Sequence, residues 1–291
     1  MKRLKCCQCL VEVGILPYLD QLLRVSLLCP PRPQNNPFVV PLMVDHVVTM
    51  AKAPLRFNCP ASTAAATVSG EAAAANSGAS GGAESSCGSG GGVGAPRSLR
   101  RPSNLIDAYC GGGLFCLAAS AHFQRCAGVE VSALNVASAA ENAARNGVAN
   151  CAFFVGSAED IFARVAPRHA APAEAASVRA VAVAASGVPG EGFDPASTVV
   201  VIDPPRKGCS PEFLAQLLRF GPSRVVYVSC NPATQARDAA VLCGGGARMS
   251  GGVGAVYEVT DVTPFDLFPQ TRHIESVMTL ERREGPGSSA I

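Results

Sequence analysis

From residue 104 to residue 282 the apolar positions fall into short continuous runs that alternate with longer segments of helical period. The runs at 105–109, 127–131, 151–155, 199–202 and 224–229 are rich in Val, Ile and aromatic residues. Runs of this length predict short strands. Between them the spacing predicts helices over 114–123, 132–146, 211–219 and 234–243. Ser132 is suited to cap the second of these, and Gly147 to stop it. Two last runs, 257–262 and 273–280, are joined by a short connection and predict an antiparallel strand pair. The alternation implies an α/β, doubly wound, mostly parallel sheet with an antiparallel C-terminal strand pair. In such Rossmann-like sheets ligands bind at the C-terminal ends of the strands.

The rest of the chain divides by composition. Residues 1–32 have mixed character and carry no readable motif. Residues 33–56 are apolar at helical spacing through Val40, Val44, Val47 and Val48. Residues 57–103 form an Ala/Gly/Ser tract, and residues 163–193 a second Ala-rich stretch inside the α/β zone. Tracts of this kind bury little area per residue and read as linker and insertion. The α/β zone is therefore placed at 104–285, with a tail at 286–291. Although 48% of the 291 residues are hydrophobic, no run approaches the roughly 18 to 20 apolar residues of a membrane span, so a soluble protein is expected.

The net charge of +2 is unevenly spread. Residues 1–58 carry seven Lys/Arg against three Asp/Glu, whereas 104–291 carry 14 against 17. A nucleic-acid partner would therefore have to be met by a local basic patch rather than by the field of the whole domain. The thirteen cysteines follow no even framework, and their use reads as reduced and intracellular. Cys6, Cys7 and Cys9 have no second ligand pair at zinc spacing, so no metal is expected.

Candidate chemistry collects at the strand ends. Asp107-Ala108-Tyr109-Cys110-Gly111-Gly112-Gly113 joins a strand to a helix, where glycines permit close backbone approach and the helix start offers free N–H groups. Glu130 ends the next strand, where an acid can accept both hydroxyls of a ribose. Asp203-Pro204-Pro205-Arg206 makes a rigid turn that aims a carboxylate into the crevice. Cys230 follows the 224–229 strand at the same mouth. His273 and Glu275 fall on the last strand with the spacing that puts them on one face.

In order and in spacing, Asp-Ala-Tyr-Cys-Gly-Gly-Gly, Val-Ile-Asp-Pro-Pro-Arg-Lys-Gly, Val-Ser-Cys-Asn-Pro-Ala-Thr and Asp-Leu-Phe-Pro-Gln-Thr-Arg-His-Ile-Glu resemble the catalytic domain of the RNA uracil-5-methyltransferases. The resemblance covers about 104–282 and extends to Gln34-Asn35-Asn36, similar to the family's Q-x-N segment. It implies a class I methyltransferase fold, S-adenosyl-L-methionine as cofactor, and RNA, in particular tRNA, as partner; the oligomeric state stays open, with a monomer expected. It implies Cys230 as the nucleophile that adds to uracil C6 and Glu275 as the base that removes the C5 proton. It further implies cofactor contacts at Gln34, Tyr109, Gly111, Gly113, Glu130 and Asp203. The family's N-terminal docking domain and most of its central domain have no counterpart here, and Ser157 stands where the family carries an acid near the adenine. Two other readings remain open: a truncated homologue that binds cofactor or RNA without turnover, and a cytosine-5 RNA methyltransferase. The latter class places a second Cys after the strand-four Asp, where this chain has Pro204-Pro205-Arg206.

Overall fold

The computed structural model describes residues 9–13, 23–27, 36, 38–56, 100–160, 180–181, 192–244 and 256–283. Ten strands and five α-helices lie within them. Strands β1 (Cys9–Val13) and β2 (Leu23–Leu27) form a small antiparallel sheet in the segment where the sequence pattern predicts nothing. Helix α1 (Val40–Lys52) follows. The α/β zone then runs β3 (Asn104–Asp107), α2 (Leu114–Ala119), β4 (Arg125–Glu130), α3 (Ala133–Arg145), β5 (Cys151–Val155), β6 (Ala180–Val181), β7 (Thr198–Ile202), α4 (Pro211–Phe220), β8 (Arg224–Ser229), α5 (Pro232–Leu242), β9 (Tyr257–Phe265) and β10 (Glu275–Arg282).

The large sheet has the order β6-β5-β4-β3-β7-β8-β10-β9. β5, β4, β3, β7 and β8 are parallel; β10 lies antiparallel between β8 and β9. The expected antiparallel pair is thus present, but only β9 forms the edge, because β10 returns inside it to complete the β8 ladder. The order reverses between β3 and β7, which leaves a crevice above that point.

Alternation along the strands sorts the core into two layers. Leu105, Val199, Val201, Val226, Val228 and Val277 face α1, α2 and α3. Ile106, Val200, Ile202, Val225, Tyr227 and Leu280 face α4 and α5. Both faces are covered, which is why the central strands read as continuous apolar runs rather than alternating ones.

Helix α1 belongs to the first of these layers: Val40, Met43, Val44, Val47, Val48 and Ala51 are buried with the sheet. Its C-terminal end is held by Arg224 at the start of β8. This buried guanidinium donates to the carbonyls of Met50, Ala51, Ala53 and Pro54 and pairs with Glu281 of β10 at 2.7 Å. The Leu55 amide donates to the Arg100 carbonyl at 2.9 Å, so the two ends of the Ala/Gly/Ser tract meet at one point of the domain. Residues 57–99 of the tract, like most of 163–193 and the tail 286–291, lie outside the described residues.

Helix boundaries follow local chemistry. Ser132 caps α3 by accepting from the Asn135 amide, and Gly147 follows its end with φ +66°. Ser210 and Asn231 cap α4 and α5 in the same way, each with Pro at the first helical position. The helix expected over 114–123 is α-helical only to Ala119 and tightens into a 3-10 turn at Ser120–His122, where the Ser120 hydroxyl bonds back to the Leu117 carbonyl.

Candidate active site

The C-terminal ends of β3, β4, β7 and β8 open on one edge of the sheet. Because β10 runs antiparallel, its first residue, Glu275, lies on that same edge. Five segments distant in sequence therefore contribute side chains to a single crevice.

At the β3 end, Asp107 is fully buried, and its carboxylate makes no hydrogen bond of good geometry, although the Cys116 and Tyr109 amides lie close. Burial, with the nearby Asp203 carboxylate, pushes its pKa up to about 8. The chain then turns through Gly111 (φ +50°) and Gly113 (φ +88°) into α2. Gly113 is the N-cap in a left-handed conformation, and a Cβ there would lie 3.1 Å from both Ala139 Cβ and Phe153 Cζ. The buried Asn142 of α3 donates to the Gly112 carbonyl at 3.0 Å and fixes the loop from behind. Tyr109 packs edge-on against Phe213 at 5.7 Å.

Glu130 at the β4 end accepts from the Gly111 amide (3.2 Å) and the Ser132 amide (2.9 Å), one on each oxygen. The carboxylate is thereby locked between the β3 loop and the start of α3, with acceptor capacity left on both oxygens. Beside it Val131 and Leu134 are 74% and 73% exposed, an apolar surface open to the crevice. Across from them Ser157 is half-buried, and the nearby acid Glu159 accepts from the Ser210 hydroxyl at 2.6 Å.

Asp203 follows β7; the residue as a whole keeps an exposed surface, but neighbouring atoms crowd its carboxyl and raise its pKa. Cys230 follows β8, half-buried. The Glu275 and Asp203 carboxylates and the Arg206 guanidinium are the charged groups near its thiol. Burial and Glu275 push the thiol pKa up, and Arg206 opposes the shift. Glu275 is 7% exposed, and burial together with Asp203 lifts its pKa to about 8.

Seven of the eight site residues expected from the sequence line or adjoin this crevice: Tyr109, Gly111, Gly113, Glu130, Asp203, Cys230 and Glu275. Gln34 lies outside the described residues; two positions on, the Asn36 amide donates to the Leu267 carbonyl at 2.8 Å and ties that segment to the loop after β9. The expectation for His273 is corrected. It is not on the strand with Glu275 but in an exposed turn, where the Thr271 hydroxyl accepts from the His273 amide and donates to the Phe268 carbonyl. Gln270 has φ +65° there, so the alternation of β10 begins only at Glu275.

Sequence reasoning missed Asn142 as the brace of the glycine turn. It is a polar residue on the buried stripe of a helix, which is itself a signal.

A glycine turn, an acid pinned at the next strand end, an Asp-Pro-Pro turn and a strand-end thiol thus meet at the C-terminal edge of a doubly wound sheet. The sequence model of the family described as tRNA (Uracil-5-)-methyltransferase matches residues 98–283, more than half of the chain, and the chain belongs to that family. Among similar proteins, the tRNA (uracil(54)-C(5))-methyltransferase of Schizosaccharomyces pombe is 42% identical over 183 residues, covering 63% of this chain and 29% of that one. The Saccharomyces cerevisiae protein of the same name is 37% identical over 178 residues, 61% of this chain and 23% of that one. The chain thus spans less than a third of these curated relatives. Among solved structures, Pyrococcus abyssi tRNA (uracil-54, C5)-methyltransferase in complex with S-adenosyl-L-homocysteine has 26% identity and a TM-score of 0.42, covering 62% of this chain and 34% of that chain.

Proposed function

We propose that the chain holds the catalytic domain of an S-adenosylmethionine-dependent enzyme that methylates carbon 5 of a uridine in RNA, with the T-loop uridine of tRNA as its substrate. The observation that carries this reading is the convergence of Cys230 and Glu275 at one sheet edge, beside Arg206 and Asp203. In this reading α1 and residues 104–285 form the catalytic unit, and 57–103 is a linker that leaves and re-enters it.

The crevice suits the cofactor. Glu130 is pinned by two amides so that its remaining lone pairs can accept ribose hydroxyls, and the exposed Val131 and Leu134 offer an apolar bed for the adenine. The Asp107 carboxylate, which makes no hydrogen bond of good geometry, marks the floor as a place for polar or cationic groups. Tyr109, Gly111, Gly113 and Asp203, with Gln34 from the preceding segment, would complete the binding set. When bound, S-adenosylmethionine supplies an electrophilic methyl group.

The protein's own residues do the rest. Uracil C5 is too weak a nucleophile to be methylated unaided. The Cys230 thiolate adds to C6 and moves electron density onto C5. Once C5 carries the methyl group, Glu275 takes the C5 proton, the C5–C6 double bond re-forms, and the carbon–sulfur bond breaks to release the thiolate. Burial raises the Glu275 pKa to about 8, so the ionised fraction that can take this proton grows as pH rises through that value. The uridine must leave its stack to enter the crevice. Exposed Arg206, Lys207 and Arg272 at the rim are placed to meet the phosphates on either side. An RNA-modifying monomer of this kind would work inside the cell; among the described residues no helix is long and apolar enough to cross a membrane.

The test is transfer of labelled methyl from S-adenosylmethionine to unmodified tRNA and to tRNA lacking the T-loop uridine. Label in the first alone is the expected result. Label in both places the target elsewhere, and no label with cofactor binding retained favours a binding homologue without turnover.

A further inference from the structure

The two edges of the large sheet carry different charge. At the crevice edge the strand ends present the carboxylates of Asp107, Glu130, Asp203 and Glu275. At the opposite edge, where β3, β4, β7 and β8 begin, the fold collects cations. Lys52 ends α1 there, Arg56 follows it, Arg100 and Arg101 lead into β3, and Arg125 opens β4. Arg56, Arg101 and Arg125 are exposed, and Lys52 and Arg100 are half-buried.

Hydrogen bonds set these residues side by side. Arg101 Nη1 donates to the Lys52 carbonyl at 3.3 Å, and the Leu55 amide donates to the Arg100 carbonyl at 2.9 Å. The Arg56 amide donates to Glu281 at 2.8 Å, which fixes residue 56 beside the end of β10. Arg125 stands opposite Asn104 in the β3–β4 register, and the preceding Gln124 amide donates to the Ser103 carbonyl at 2.8 Å. Its guanidinium lies over the Phe193 ring, 4.8 Å from the centroid. The neighbouring acids are engaged inward: Glu281 is buried and paired with Arg224, and Asp194 accepts from the Ala196 amide.

A cation in the last turn of a helix complements the helix dipole, and that accounts for Lys52. Arg56, Arg100, Arg101 and Arg125 lie outside every helix. Four of the five cations also come from outside 104–291, the segment that carries 14 Lys/Arg against 17 Asp/Glu. Both flanks of the Ala/Gly/Ser tract thus deliver positive charge to one edge of a domain that is otherwise net negative. A polyanion is drawn to such an edge and repelled by the rest. The six residues of β8 separate this edge from the crevice by roughly 20 Å, at about 3.3 Å per residue. An RNA that meets both must therefore be folded, with a stem beside the loop that enters the crevice.

We propose that Arg56, Arg101 and Arg125, flanked by Lys52 and Arg100, form a second RNA surface that grips backbone phosphates of the stem adjoining the target loop. The inference rests on the chain acting on a uridine in RNA and adds the part of the substrate that supplies affinity. Contacts of this kind fix position without reading sequence.

The experiment titrates the full chain with a fluorescent hairpin of the tRNA T-loop and its stem, and with the single-stranded loop alone, over a series of salt concentrations. Arg56→Gln/Arg101→Gln/Arg125→Gln removes three charges and keeps side chains that can hydrogen-bond. Hairpin affinity at about 0.1 M salt should fall at least about tenfold, and the slope of log affinity against log salt should shrink by about two to three. Affinity for the loop alone should stay within about twofold, because it does not reach this edge. If the triple variant does not fold, Arg101→Gln alone must reduce the hairpin slope by about one. An unchanged hairpin slope, or an equal loss on the loop alone, overturns this inference and leaves the functional reading standing. A wild-type chain that binds neither RNA overturns both.

Discussion

Glu275 stands opposite Cys230 across β8 and β10: the antiparallel register pairs Ser276 with Ser229, so the next position on each strand brings the carboxyl to the thiol. In the proposed reaction these two groups act at different stages, one before methyl transfer and one after it, and that difference separates their variants. Cys230→Ala should abolish methyl transfer to RNA while leaving cofactor affinity within about twofold, because the thiol touches only the base. Glu275→Gln should still form the covalent RNA adduct but release it at least tenfold more slowly, a loss typical of a missing general base. Adduct on denaturing gels and cofactor binding by calorimetry distinguish the two; unchanged turnover in Glu275→Gln removes that residue from the chemistry.

Buried carboxyls give the stability a defined pH dependence. The pKa values of Asp107 and Glu275 are both raised in the fold, from ordinary values of 3.8 and 4.5 to about 8. Between those limits the folded chain binds more protons than the unfolded one, so stability falls as pH rises. Their contribution is fully present below about pH 4 and lost on passing through pH 8. Melting temperature should therefore drop between pH 5.5 and 8.5, and drop less in Asp107→Asn, which cannot ionise. An equal slope in both proteins would mean that Asp107 is not protonated in the fold.

Arg224 ties α1, β8 and β10 together, and its replacement should be costly. Arg224→Met leaves Glu281 buried without its partner and four carbonyls at the end of α1 without a donor. A loss of about 3–5 kcal/mol is expected from breaking such a pair on one side only. Chemical denaturation measures it. Arg224→Met/Glu281→Met should recover part of that loss, since no unpaired charge remains.

The bond between Leu55 and Arg100 makes the tract 57–99 removable. Replacing it with a Gly/Ser turn of about five residues should leave the fold intact. Shorter loop closure should add about 1–2 kcal/mol to its stability. Loss of folding would show that the tract contributes packing of its own.

Much of this was legible in the sequence. The two-sided burial of β7 and β8 shows as the apolar runs 199–202 and 225–228, and Ser132 announces a helix start through a side chain that can reach an amide three residues on. His273 is instructive in the other direction. Alternation extended backwards from β10 assigns it to the face of Glu275, but Pro269 and the left-handed Gln270 make a turn whose hydrogen bonds compete with the ladder. Nothing within 1–32 shows the periodicity that would have revealed β1 and β2, because a pairing of two five-residue strands leaves little trace in either one.

The sequence by itself determined which strand ends carry chemistry, since motif, turn residue and strand signal are all local. It could not determine what faces what. That Asn231 holds the Arg206 carbonyl, that Asn142 braces the glycine turn, and that Arg224 binds α1 into the core depend on contacts between residues 25 to 174 positions apart. Such contacts are decided by the packing of helices on the sheet, because a polar side chain carries no mark in sequence of the partner that burial will oblige it to find.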